Sequence, residues 1–165
     1  MDGRRDALLG SLAGLAPERL ALRPANGGWC ALDVVQHLVL VEEGVLGYAK
    51  KKVLGAPQPV PLLDRARLAL LVGLLRSPAR VRAPVKQVVP AETLPLDETS
   101  KRWGDARAAL RTFLAELAEE RLRGLLFRHP IAGALDAAGT LTFIDEHERH
   151  HEAQLARIWR SAPGA

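Results

Sequence analysis

The chain has 165 residues, 48% hydrophobic, 25% charged and 4% aromatic, with a formal net charge of +4 at pH 7. That length suits one domain over residues 1–165, with a core that folds without disulfides or a structural metal, so a bound ion would serve function rather than folding. The lone cysteine, Cys30, excludes an internal disulfide and a cysteine-based zinc centre, and no apolar run approaches the roughly 20 residues that cross a bilayer.

Leu, Ala, Arg and Glu dominate the composition, which is an α-helical profile. Leu8, Leu9, Leu12 and Leu15 recur at helical spacing and predict a first helix over residues 4–16. Arg4 and Arg5 ahead of this apolar stretch imitate a secretion signal, but Asp2 and Asp6 break its charge pattern, and the expectation is a cytoplasmic protein. The turn segment Arg23-Pro24-Ala25-Asn26-Gly27-Gly28 follows.

A second helix is predicted over 31–54. It carries His37 on a face with Val34, Val41 and Val45, where a core side chain belongs. A histidine there is either a satisfied core group or one arm of a metal site, since bundles build such sites from side chains on facing helices. Asp33, one turn earlier, has two equal readings: it orients the His37 ring through its second nitrogen, or it complements the positive start of the helix. Cys30 reads as buried packing.

The Pro57-Gln58-Pro59-Val60-Pro61 cluster precedes a shorter accessory helix over 62–76. Arg65, Arg67, Arg76, Arg80, Arg82 and Lys86 then follow with no acid among them. A solvated basic face is the plain reading of that run, and attraction of an anionic substrate or cofactor is the sharper one. The connection from Ser77 to Leu96 is long for a bundle, carries a weak strand pattern around Val85–Val89, and is placed to border a substrate cleft. It is broken by Ser77-Pro78, Pro84, Pro90 and Pro95. A further helix is predicted over 98–121, capped by Thr99 or Asp97. His129, before the Pro130–Gly139 break, reads as structural or solvent-exposed.

The last helix, predicted over 141–160 and capped by Thr140, contains His147-Glu148-Arg149-His150-His151. His147 and His151 are four apart and therefore neighbours on the helix surface. An HxxxH pair alone is a weak signal, because exposed histidines produce it by chance. Its placement strengthens it: Ile144, His147, His151, Leu155 and Ile158 form one core-facing stripe. Burying unpaired polar groups costs about 1–3 kcal/mol each, which a shared divalent ion relieves. Imidazoles suit zinc, nickel, copper or ferrous iron, and a site with three protein ligands leaves a position for water or substrate. His150 lies about 100° from the stripe and reads as flanking, with a His147–His150 pair as the alternative. Glu146, Glu148 and Glu152 turn away from the stripe, so no general base is identified. Gln154 lies nearer and either supports the site or sits at an interface.

Arg23-Pro24, Trp29-Cys30-Ala31-Leu32-Asp33-Val34-Val35-Gln36-His37-Leu38 and His147-Glu148-Arg149-His150-His151-Glu152-Ala153-Gln154-Leu155 together resemble the DinB/YfiT-like family of metalloenzymes. In that family a tryptophan precedes His-Leu on one helix, and the last helix carries HxxxH followed by Gln. The resemblance implies an all-α, four-helix bundle of up-down-down-up topology. It further implies a divalent metal held by His37, His147 and His151, and a homodimer. Relatives of this kind include S-transferases and isomerases that use low-molecular-weight bacterial thiols, and metal-dependent hydrolases. Cys30 departs from the Ser or Thr more usual at that helix start, which weakens capping and leaves the ligand set intact. The expectation is a metal-dependent enzyme on a small-molecule substrate, an S-transferase or a hydrolase, using zinc, nickel or iron and, for thiol chemistry, a thiol cosubstrate. The rival reading is a non-catalytic metal- or ligand-binding bundle. Nucleic-acid and membrane partners are not expected.

Overall fold

A computed structural model describes residues 2–24, 27–79 and 85–161. Ala25, Asn26 and Pro84 of the turn segments, and Arg80 and Arg82 of the basic run, lie outside the described residues. The elements are α1 (Asp2–Ala13), α2 (Pro17–Leu20), α3 (Ala31–Lys52), α4 (Leu62–Arg76), α5 (Leu96–Ala115), α6 (Glu119–Arg123), β1 (Phe127–His129), β2 (Gly133–Leu135) and α7 (Ala137–Ser161), with a 3-10 turn at Lys86–Val88.

The core contacts fix the helix directions. Leu32, Val34 and Val35 at the start of α3 share a cluster with Leu155 and Ile158 near the end of α7, whereas Val45 and Leu46 meet Phe143 and Ile144 nearer its start. The helices α3 and α7 are therefore antiparallel. Trp103 of α5 reaches Glu42 and Phe113 packs beside Ala49, so α5 runs parallel to α3. Arg4 of α1 meets Asp145 while Leu8 and Leu12 join Leu155 and Ile158, so α1 runs parallel to α7. Taken in chain order, α1, α3, α5 and α7 make the up-down-down-up four-helix bundle, and the accessory helix α4 packs on α7 through Leu71 and Leu75. No helix among the described residues is long and apolar enough to cross a membrane.

Two helices start earlier than their hydroxyl residues suggest. Asp136 accepts the Gly139 N–H at 2.7 Å, the geometry of an N-cap, and α7 begins at Ala137. Thr140 thereby falls within the first turn and donates to the Asp136 carbonyl. Likewise Pro95 stands ahead of α5, while Thr99 donates back to the Pro95 carbonyl at 2.8 Å and does not cap. Asp97 sits in the first turn, where its charge suits the helix dipole.

The strand expected around Val85–Val89 is instead the 3-10 turn, with no strand beside it among the described residues to offer a ladder. β1 lies just ahead of the segment read as a break and β2 within it; they pair antiparallel with Phe127 opposite Leu135 and His129 opposite Gly133. Gly133 has φ +77°, and a Cβ on it would stand 2.5 Å from the Asp64 carboxylate. That carboxylate, on α4, accepts the Ala134 N–H at 2.8 Å and ties the hairpin to the accessory helix.

Ion pairs fasten α7 on three sides. Glu146 binds Arg76 of α4, with Nε at 2.9 Å. Glu152 binds Arg4 of α1 at 3.0 Å. Glu148 accepts from Arg107 of α5 at 2.5 Å, and Arg107 also binds Glu42 of α3 at 2.7 Å in a cluster almost wholly dry.

Candidate metal centre

Antiparallel packing sets His37, in the second turn of α3, against the middle of α7. There the four-residue spacing of His147 and His151 aims both rings at it. His147 Nε2 lies 3.2 Å from His37 Nε2 and 3.1 Å from His151 Nε2, and the three ligand atoms all lie within 4.8 Å of one another, close enough to hold a metal ion. Two nitrogens bound to one tetrahedral ion at the usual 2.0–2.1 Å stand about 3.3 Å apart, so both short separations fit.

The outer nitrogens settle which way the lone pairs face. His37 Nδ1–H donates to the Val88 carbonyl at 2.6 Å, and His151 Nδ1–H donates to Gln154 Oε1 at 2.7 Å. With their protons on Nδ1, His37 and His151 present bare Nε2 lone pairs to His147. A neutral His147 carries at most one proton on Nε2 and can satisfy only one of them. A cation at the centre satisfies all three, and the donor set therefore fits a divalent ion.

Electrostatics favours the ligating form. Burial lowers the pKa of His37, with the Val88 hydrogen bond opposing it. Burial first and then the neighbouring imidazoles hold His147 well below its ordinary value. Burial likewise pushes His151 down to about 3, helped by His37. All three rings are neutral near pH 7, as metal binding requires. Trp29 packs 4.9 Å from the His37 ring and Phe143 5.3 Å from the His147 ring, giving the nitrogens an apolar surround.

Other expectations resolve individually. Asp33 does not orient His37; it accepts the Cys30 N–H at 3.1 Å and a Thr93 hydroxyl at 2.7 Å and pairs with Arg23, which makes it a helix-start residue. Gln154 supports the site directly. His150 is buried and donates Nδ1–H to the Leu75 carbonyl at 2.9 Å, outside the triad, so the His147–His150 pairing is set aside. His129 is structural: its Nδ1 accepts the Ile131 and Ala132 N–H groups at 3.1 Å each, and burial pushes it down to about 4. Cys30 is buried and burial raises its pKa, which disfavours the reactive thiolate. In the basic run, Arg65, Arg67 and Arg76 are paired with Asp136, Asp64 and Glu146. Two surface clefts, one beside Lys51 and Arg121 and one beside Ser11 and Trp159, are lined by none of the three imidazoles. The partner that sequence reasoning missed is Val88, since a backbone carbonyl leaves no mark on residue type.

Comparison with known proteins agrees with this architecture. A family model described as the DinB superfamily matches residues 1–155. The chain is 28% identical over 148 residues to the uncharacterized Bacillus subtilis (strain 168) protein YuaE, covering 89% of this chain and 87% of that one. It is also similar in fold to the crystal structure of TT2238, described as a four-helix bundle protein, with a TM-score of 0.59 and 22% identity over 94% of this chain and 92% of that one.

Proposed function

Because the chain belongs to the DinB superfamily and brings three imidazole nitrogens from two helices to one point, we propose that it is a metal-dependent enzyme acting on a small-molecule substrate. His37, His147 and His151 are its ligands for a divalent ion, zinc, nickel or iron. The observation that carries this reading is the pair of inward Nε2 lone pairs that His147 alone cannot satisfy. A divalent ion bound there supplies Lewis acidity, the property that activates water for hydrolysis or a low-molecular-weight thiol for S-transfer.

The protein's own residues hold and isolate this centre. The Val88 carbonyl and Gln154 fix two rings in the ligating tautomer. Trp29 and Phe143 keep bulk water from the nitrogens. The three carboxylates of α7 nearest in sequence are each engaged by an arginine, so none of them is assigned as a general base. The same reading takes residues 1–165 as one cytoplasmic domain that pairs as a homodimer.

The test is metal content by mass spectrometry of untagged, natively purified protein and of a His147→Ala/His151→Ala variant. Near-stoichiometric metal, lost in the variant, supports the site, and chelator-sensitive turnover on a panel of thiol-transfer and hydrolysis substrates then supports catalysis. Absence of metal from both proteins after reconstitution refutes the site. Binding without turnover across the panel refutes the enzyme and leaves a metal-binding bundle.

A further inference from the structure

The accessory helix α4 is apolar on two sides. Leu71 and Leu75 face the core, while Leu62, Leu63 and Leu70 stand outside at 81%, 61% and 76% exposure. A helix with one face on a bundle ordinarily turns polar residues outward. The flanking Arg65, Arg67 and Arg76 are ion-paired within their own chain, so this face opposes a copy of itself without unpaired like charges.

The pattern of the face says what covers it. Leu63, Ala66, Leu70 and Gly73 follow the 3, 4, 3 spacing of a heptad seam, with leucine at one seam position and a small residue at the other. When two such helices pack antiparallel, the two kinds of position meet: Leu63 stands opposite Gly73 of the second copy, and Ala66 opposite its Leu70. A two-fold axis makes each contact twice. Gly73 is compatible with this packing. Glycine weakens a helix interior relative to alanine, and a Cβ at this position would meet nothing within 4 Å in its own chain. Packing among the described residues therefore does not demand glycine here, and the open position has room for a leucine entering from a second helix.

We infer that the outward face of α4 is the surface through which two copies of this chain pair, antiparallel, with leucines seated over Gly73 and Ala66; this rests on the homodimer proposed above. The 15-residue helix is about 22 Å long. One helix face of that length covers less than the roughly 800 Å² per partner of a standard interface, so the dimer is weak and concentration-dependent.

Sedimentation equilibrium of the full chain over a hundredfold concentration range tests this. The expected result is a mass rising from 17.9 kDa toward twice that value. Gly73→Leu, which fills the hole, and Leu70→Glu, at an exposed side chain, both stay monomeric with unchanged helical circular dichroism and metal content. The volume-swapping Leu63→Ala/Gly73→Leu variant recovers association. A wild-type chain that stays monomeric throughout removes the pairing itself. A dimer that both Gly73→Leu and Leu70→Glu leave intact keeps the pairing and overturns this surface.

Discussion

Replacing Arg107 with leucine removes the guanidinium that serves two carboxylates in the dry interior of the bundle. Arg107, Glu42 and Glu148 are 4%, 2% and 1% exposed. Glu42 would keep the Trp103 indole N–H at 2.6 Å. Glu148 would keep nothing, because its Oε1 is held by Arg107 and its Oε2 has no partner. Burial already raises the Glu148 pKa to about 7 against the pull of Arg107, so its charge is hard to keep even in the native protein. Breaking a buried pair from one side costs about 3–5 kcal/mol, a large part of the roughly 5–15 kcal/mol that holds a domain folded. For a chain of this size, about 2–4 °C per kcal/mol converts that to a fall in Tm of roughly 6–20 °C. The assay is urea denaturation and calorimetry on chelator-treated protein, since a bound ion adds its own stabilisation. Glu148→Gln, which removes the poorly served charge and leaves Arg107 on Glu42, is expected to cost about 1 kcal/mol or less, and the triple Glu42→Gln/Arg107→Leu/Glu148→Gln variant to recover part of the Arg107→Leu loss. If Arg107→Leu stays within 1 kcal/mol of wild type, the carboxylates are not stranded and the reasoning fails.

Gln154→Leu removes the acceptor for His151 Nδ1–H, and metal affinity should fall by about 10- to 100-fold with little change in fold stability; competition against a chromophoric chelator measures it. The pKa of His129 is depressed in the folded state, so its contribution is intact above the unfolded value of 6.5 and is lost as pH falls toward its folded value of about 4. The shift corresponds to about 3 kcal/mol, and an unfolding free energy whose slope between pH 6.5 and 4 is the same in His129→Asn would show that this residue is not responsible. Gly133→Ala forces a side chain to φ +77°, a strain of about 1–2 kcal/mol, and presses its Cβ on Asp64; an unchanged melting temperature would contradict the tie between hairpin and α4.

What the residues disclosed follows from how local each signal is. His147 and His151 were legible because helical phase alone places them on the stripe of Ile144, Leu155 and Ile158. His37 was visible as a histidine on a core face, with one arm of a metal site as one of two readings; the family resemblance chose between them and supplied the up-down-down-up order. The hairpin stayed hidden because strands of three residues are too short for a period-two signal, and because its anchor, Asp64, lies far away in the chain. The start of α7 was displaced because Asp136, not Thr140, supplies the cap. The buried partnership of Glu148 with Arg107 is likewise a matter of tertiary neighbours: phase shows that Glu148 leaves the metal stripe, not that it enters another part of the interior.

One partner of the histidine triad is not encoded by any side chain. The carbonyl that receives His37 Nδ1–H belongs to Val88, and every amino acid has a carbonyl. An alanine scan of the connection would report the loss of Val88's packing against the core and miss the hydrogen bond, since alanine keeps the carbonyl. What lineages cannot freely vary is the length of the Lys86–Val88 turn that sets the oxygen against the imidazole. Indels within that turn are changes to watch alongside substitutions.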